Sequence, residues 1–178
     1  YAFDASGTNT PMNKGKAVFT KLSILYLELH NSLTACNWTL PTWTSPRKDR
    51  KYRGDVEMEA KVLSAVTGEK ISRADLEKTA LRILTMFRAL TALHMNEKNM
   101  RNKHDKMNDW VFNYPAGAKP FTPGVSTMDK ADIELGKDLL YAEFGWDKAT
   151  GMPTKATLDS LGLSYVADTL AKAGLLPS

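Results

Sequence analysis

Apolar residues recur every three to four positions along most of this chain, which is the spacing of one face of an α-helix. The first apolar stripe follows Thr10 and Pro11, a hydroxyl residue that can cap a helix and a proline suited to its first position. Because no run of four or more alternating apolar and polar residues is convincing, the pattern predicts an all-α protein. The predicted helices span 11–33, 55–66, 72–95, 129–144, 154–161 and 164–173.

The third predicted helix carries the clearest signals. Ser72 is followed three residues later by Asp75, an acidic variant of the capping box that marks a helix start. Its stripe predicts a buried face made of Leu76, Ala80, Ile83, Leu84, Phe87, Leu90 and Thr91. In the first helix the corresponding buried residues are Val18, Phe19, Leu22, Leu25, Tyr26, Leu29 and Leu33.

Two irregular segments separate the helices. Residues 37–54 are broken by Pro41 and Pro46, and residues 96–128 contain three further prolines, which argue against regular structure. We expect the second segment to wrap the surface or to line a cleft. The predicted fold is therefore an irregular multi-helix domain with long proline-containing loops.

Length and composition narrow the class of protein. A chain of 178 residues predicts one domain over 11–178, preceded by a small polar linker or arm at 1–10. One cysteine excludes an internal disulfide framework and favours a reducing, cytoplasmic setting. No run of 18 uncharged apolar residues is present, so no membrane span is predicted. The first residue is Tyr1 rather than Met, which suggests a processed or excised piece.

Cys36, the single cysteine, lies where the first predicted helix gives way to a loop. The commonest role of such a residue is that of a buried, inert thiol. A nucleophile is disfavoured, because the C-terminal end of a helix opposes a thiolate. A metal ligand is the third reading, but one thiolate cannot hold a cluster that needs four, so other segments would have to complete the site.

No other residues form a recognisable catalytic set, and no catalytic residue is assigned. The histidines at 30, 94 and 104 lack metal-ligand spacing, and His104 with Asp105 is interpreted as a solvated loop pair. The acidic residues Glu57, Glu59, Asp75 and Glu77 are interpreted as a solvated helix face.

A basic run occupies residues 47–53 and contains one aromatic residue, Tyr52. The net charge of +4 is mild, so the run is interpreted as an exposed loop that faces acidic neighbours, and no nucleic-acid partner is predicted. One functional hypothesis is accordingly a freestanding helical binding module that holds an acidic partner through 47–53 and 96–128.

The order of several short motifs points to a different hypothesis. From about residue 17 onward, the chain resembles the C-terminal domain of the tungsten- or molybdenum-dependent aldehyde:ferredoxin oxidoreductase family. Residues 30–36 stand where that family has Asp-x-x-Gly-Leu-Cys, and residues 63–68 match its Leu-x-Ala-Val-Thr-Gly. The remaining matches are Gly145-Trp146-Asp147, Gly151-Met152-Pro153-Thr154, Leu158 and Leu161-Gly162-Leu163.

The resemblance implies cofactors that the residues of this sequence alone do not predict. Family members hold a pterin-bound tungsten or molybdenum beside a four-iron, four-sulfur cluster, and three cluster cysteines come from an upstream segment. The fourth aligns with Cys36, which makes it the implied metal ligand. Because this sequence lacks the other three cysteines, the resemblance implies a fragment that is inactive and binds no cofactor alone. The implied partners are the N-terminal domains of the same polypeptide and a ferredoxin-like electron carrier.

The implied cofactor-binding residues depart from the family pattern. Asn31 replaces the aspartate whose carboxylate binds pterin nitrogens, which keeps an acceptor oxygen, loses the charge and adds donors. Thr34 replaces the glycine and Ala35 the leucine, so close backbone approach at residue 34 becomes harder. The family's Phe-Asn-x-Arg segment is not evident near residues 91–94. The implied activity is oxidation of an aldehyde-type substrate in a divergent branch whose substrate is open.

Overall fold

A computed structural model describes residues 11–36, 45–112 and 129–177 of the chain. The predicted arm at 1–10, residues 37–44 of the first irregular segment and residues 113–128 of the second lie outside the described residues.

Within these ranges the protein is helical, and the all-α prediction is confirmed. Trp146 and Pro153 form an isolated antiparallel bridge, and the described ranges contain no β-strand. Two short 3₁₀ turns lie at Lys48–Arg50 and Asp109–Val111. The α-helices are α1 (Lys14–Ser32), α2 (Met58–Thr67), α3 (Arg73–Met95), α4 (Met100–Lys103), α5 (Lys130–Phe144), α6 (Lys155–Ser160) and α7 (Ser164–Lys172).

The chain divides into two compact units whose boundaries fall inside α1 and α3. One unit comprises residues 1–22 and 85–178, and the other comprises residues 23–84. The larger unit contains α4 to α7, and its buried apolar side chains include Met100, Phe144, Met152, Leu158 and Leu170. The smaller unit contains α2, and among its described residues the buried apolar side chains are Leu25, Tyr26, Leu29, Ala60, Leu76 and Ala80.

Side-chain caps determine where two of the long helices begin. The predicted capping box of α3 is present, since the Ser72 amide donates to Asp75 Oδ2 (2.9 Å) and the Asp75 amide donates to Ser72 Oγ (3.2 Å). The predicted start of α1 is wrong by three residues. Asn13 accepts a hydrogen bond from the Lys16 amide (3.1 Å), so the helix begins at Lys14 and Pro11 precedes it.

The predicted buried face of α3 is correct only in its first half. Leu76 and Ala80 are buried, but Phe87 and Leu90 are 55% and 52% exposed. Beyond Leu84 the buried side chains are Thr85, Arg88, Ala89 and Ala92. The prediction failed because a buried arginine takes the place that the apolar pattern assigned to Phe87. In α1, Leu25, Tyr26 and Leu29 are buried as predicted, whereas Phe19 is 39% exposed.

No helix among the described residues is long and apolar enough to cross a membrane.

Candidate functional site

The predicted cofactor residues occupy the turn that ends α1. The amide of Ala35 donates to the carbonyl of His30 (2.8 Å), and the amide of Thr34 donates to the carbonyl of Asn31 (3.3 Å). These two bonds form a Schellman motif, which satisfies carbonyl groups that a helix end otherwise leaves without partners. The motif brings Asn31, Thr34 and Ala35 together and directs the chain toward Cys36.

Thr34 adopts a backbone conformation that glycine favours. Its φ is +55°, in the left-handed region, where a β-branched side chain is strained. The family motif has glycine at this position, and the turn supplies a physical reason for it. The sequence alone suggested close backbone approach as the role of that glycine; the geometry adds a requirement for positive φ.

Three of the four predicted site residues are exposed. Asn31, Thr34 and Cys36 present their side chains to solvent, and Ala35 is half-buried. The reading of Cys36 as a buried thiol is therefore wrong for this structure. The tryptophans that follow, at positions 38 and 43, lie outside the described residues.

His30, whose carbonyl accepts the bond that closes this turn, belongs to a buried polar pair with Glu59 of α2. His30 and Glu59 are 1% and 3% exposed, and His30 Nε2 lies 3.1 Å from Glu59 Oε1. The His30 ring also meets the Tyr26 ring edge-on, with centroids 6.0 Å apart. The interpretation of Glu59 as part of a solvated face was wrong, because its partner is 29 residues away in the chain and the helical pattern does not reveal such a contact.

Tyr26 connects this pair to further charged side chains of the smaller unit. Burial raises the pKa of the Tyr26 hydroxyl above its usual range, with opposing contributions from Arg73 (lowering) and from Glu77 and Glu59 (raising). Arg73 Nε donates to Glu77 Oε1 at 2.7 Å. Tyr26 therefore stays protonated at neutral pH and acts as a packing and hydrogen-bonding group.

A second cluster of polar side chains, built around the buried Arg88 and Tyr141, lies in the larger unit, where sequence analysis predicted only a solvated loop pair. Arg88 donates through Nη1 to Asp105 Oδ1 (2.8 Å) and through Nη2 to Asp105 Oδ2, and Tyr141 Oη donates to the same Oδ2 (2.5 Å). His104 Nδ1 also lies 2.8 Å from Asp105 Oδ1. The two-bond arginine–carboxylate geometry compensates for burying the guanidinium group of Arg88, which is 7% exposed.

The ionisation of this cluster follows from its contacts. Burial tends to raise the pKa of Asp105, but hydrogen bonds from Arg88, Tyr141 and His104 outweigh burial and hold that pKa below its usual range. The pKa of Tyr141 is raised by burial and by its hydrogen bond to Asp105. At neutral pH the cluster therefore contains a carboxylate, a guanidinium and a neutral phenol.

The motifs that carry much of the family resemblance build the fold around this cluster. The carbonyl of Gly151 accepts a hydrogen bond from Arg88 Nε (2.8 Å), and the Arg88 guanidinium lies 5.1 Å from the Trp146 ring centroid. A Cβ atom on Gly151 would lie 2.8 Å from Arg88 Nη2 and 2.9 Å from Tyr141 Oη. Thr154 caps α6 by accepting from the Thr157 amide (3.2 Å). Packing and hydrogen bonding within the fold account for the residue types at these motif positions, and no catalytic role is needed to explain them.

The basic run is exposed and pairs partly within itself. Arg47 donates to Asp49 through Nη2 (2.6 Å) and Nε (3.0 Å), and Lys51 and Tyr52 adopt positive φ. Such an exposed pair contributes little to stability. Binding of an acidic partner through residues 47–53 stays a prediction.

The described ranges contain no group of three or more histidine, cysteine, aspartate or glutamate side chains that could hold a metal ion.

Comparison with known proteins gives a family match over most of the chain. Residues 2–163 match the family model described as aldehyde ferredoxin oxidoreductase, domains 2 and 3. A solved structure described as the active site complex BamBC of benzoyl coenzyme A reductase with 1,5-dienoyl-CoA is 27% identical to this chain. The alignment covers 68% of this chain and 16% of that chain, with a TM-score of 0.46.

Proposed function

The chain belongs to the family of aldehyde ferredoxin oxidoreductase domains 2 and 3, and from this premise we propose that it supplies Cys36 as one ligand of a four-iron, four-sulfur cluster. It is an oxidoreductase domain by family. The further proposal is that it forms the C-terminal portion of a pterin-metal enzyme, where the other cluster ligands come from other domains of the same polypeptide.

The exposure of Cys36 is the observation that carries this proposal. A thiol that shares a cluster with another domain has to be accessible from its own domain, and Cys36 is exposed beyond the end of α1. Two backbone hydrogen bonds hold the helix end that directly precedes Cys36, and support of this kind favours binding by a metal ligand. The donor chemistry fits, because thiolate sulfur is the usual cluster ligand.

The neighbouring turn is proposed to contact the pterin. Asn31 is exposed and offers one acceptor oxygen and two amide donors, which suits hydrogen bonding to a pterin edge. Thr34 and Ala35 would contribute backbone contacts, since their side chains carry no charge. Loss of the aspartate charge at position 31 weakens the attraction to a protonated pterin nitrogen and leaves a neutral hydrogen-bonding surface.

When bound in the longer enzyme, the pterin metal and the cluster would supply oxidation of an aldehyde-type substrate to an acid, with electrons leaving to a ferredoxin-like carrier. The residues of this chain would bind and orient the two groups. They contain no assigned acid, base or nucleophile, so this chain alone is expected to be inactive.

Replacement of Cys36 by alanine in the full-length polypeptide tests the ligand assignment. We expect iron content and the visible absorbance of the cluster to fall, because one of the four thiolates is lost. Ser32→Ala provides the matched control, since Ser32 is another exposed residue at the same helix end. Unchanged iron content in the Cys36→Ala protein, with the control also unchanged, would show that the assignment is wrong.

A further inference from the structure

The buried pair His30–Glu59 has no role in the function proposed so far. Both side chains are almost completely removed from solvent, and they join α1 to α2 within the smaller unit. Histidine and glutamate are seldom buried to this degree, because burial of a polar or charged group is costly unless partners compensate for it. A pair that is buried at such a cost, with one member in the turn that ends α1, calls for an explanation.

His30 takes part in that turn through its main chain. Its carbonyl accepts the Ala35 amide (2.8 Å), the bond that closes the Schellman motif, while its ring lies against Glu59 and Tyr26. The same residue is thus anchored by its side chain and holds the turn by its backbone. A displacement of the His30 side chain would move the carbonyl on which the turn depends.

We propose that His30 and Glu59 are a positioning pair that fixes the last turn of α1, and with it Asn31 and Cys36, relative to α2. This inference rests on the proposed cofactor role of the turn. It assigns the pair no contact with the cofactors; His30 acts through Ala35 and the residues that follow.

The chemistry of the pair suits orientation better than stability. Glu59 Oε2 is buried without a hydrogen-bond partner among the described residues, so the carboxyl is incompletely satisfied. A buried polar pair of this kind is often no more stable than apolar residues of similar volume. A hydrogen bond nevertheless has a preferred distance and angle, whereas apolar burial has no direction. The pair therefore defines the angle at which α1 ends, which apolar packing alone would define less sharply.

The double variant His30→Phe with Glu59→Leu separates orientation from stability. It removes both polar partners together and keeps buried volume, so the unfolding midpoint is expected to remain close to that of the unchanged protein. Amide exchange at Ala35, measured in the full-length polypeptide, is expected to accelerate about tenfold, because the turn loses its anchor. The chelator concentration that removes half of the iron is expected to fall by roughly tenfold or more, as for lost support of a metal ligand.

Two further variants complete the design. Glu59→Gln keeps an acceptor oxygen for His30. In this variant, Ala35 exchange and iron retention are expected to stay close to those of the unchanged protein. Leu76→Ala, at a buried residue of the same unit, is the control for stability loss and is expected to lower the unfolding midpoint without changing Ala35 exchange relative to other core amides.

Normal Ala35 exchange in the double variant would overturn the inference, because the pair would then contribute burial alone. The exchange measurement needs no cofactor. If Cys36→Ala leaves the iron content unchanged, the proposed cluster role fails, while the Ala35 exchange result still decides whether the pair holds the turn.

Discussion

Thr34 offers a direct test of the turn that ends α1, because its backbone conformation should favour glycine over threonine. The left-handed region costs an L-residue roughly 1–2 kcal/mol. Glycine avoids that cost but loses about 0.4–1 kcal/mol through its greater freedom in the unfolded chain. Thr34 is exposed, so its side chain contributes little burial. Thr34→Gly is therefore expected to stabilise the protein by about 0.5–1 kcal/mol.

Gly68 provides the reciprocal control at the end of α2. Its φ is +76°, and a Cβ atom built on it meets no atom within 4 Å. Gly68→Ala should therefore cost only the conformational penalty, about 0.5–1 kcal/mol, equal in size and opposite in sign to the effect at Thr34. One substitution removes and the other introduces the free-energy cost of a side chain at positive φ, at two helix ends of the same unit.

Urea unfolding measures both changes. With a slope near 2 kcal/mol per molar urea, the midpoint should rise by about 0.3 M for Thr34→Gly and fall by a similar amount for Gly68→Ala, at unchanged slope. A midpoint that falls or stays constant for Thr34→Gly, while Gly68→Ala behaves as expected, would refute the inference that the turn at Thr34 is strained.

Two further predictions concern the cluster around Arg88 and Asp105 in the larger unit. Gly151→Ala should destabilise the protein by about 3 kcal/mol or more, since the new methyl group displaces the buried Arg88 guanidinium from its carboxylate partner. Gly162→Ala, with a similar positive φ and open space, should cost about 1 kcal/mol in the same urea assay. Asp105 has a lowered pKa in the folded protein, so its stabilising contribution is complete above about pH 4 and is lost as the pH falls through the folded-state pKa. Asp105→Asn should therefore reduce the difference in unfolding free energy between pH 7 and pH 3, and an unreduced difference would contradict this account.

Local signals in the sequence predicted the helices well. The Ser72–Asp75 capping box and the stop at Gly68 depend on residues that are close together in the chain, and both are present in the structure. The same locality explains the all-α prediction, because helical periodicity is a property of short windows. Asn13 caps α1 instead of the predicted Thr10. The helix was therefore predicted correctly, but its start was placed three residues too early.

Buried polar residues could not be predicted in this way. Arg88 is stabilised by Asp105, 17 residues later, and by the carbonyl of Gly151, 63 residues later. Glu59 is stabilised by His30 across 29 residues. A charged residue within an apolar stripe is normally predicted to be exposed to solvent. Helical periodicity carries no information about a partner that lies tens of residues away in the chain. The apolar pattern of α3 assigned Phe87 to the core, and it left out Arg88 because arginine is charged.

The segments that carry the family resemblance therefore divide into two physical kinds. Trp146, Gly151 and Met152 are buried or crowded, and a change at any of them would disturb packing in the larger unit. Asn31 and Thr34 are exposed, so their departures from the family motif cost the fold little beyond the local strain at Thr34. A chain can thus retain the architecture of its family while the turn that is proposed to face the cofactors diverges. The proposed ligand role supplies a functional reason for a thiol at Cys36, which is exposed beyond the end of α1.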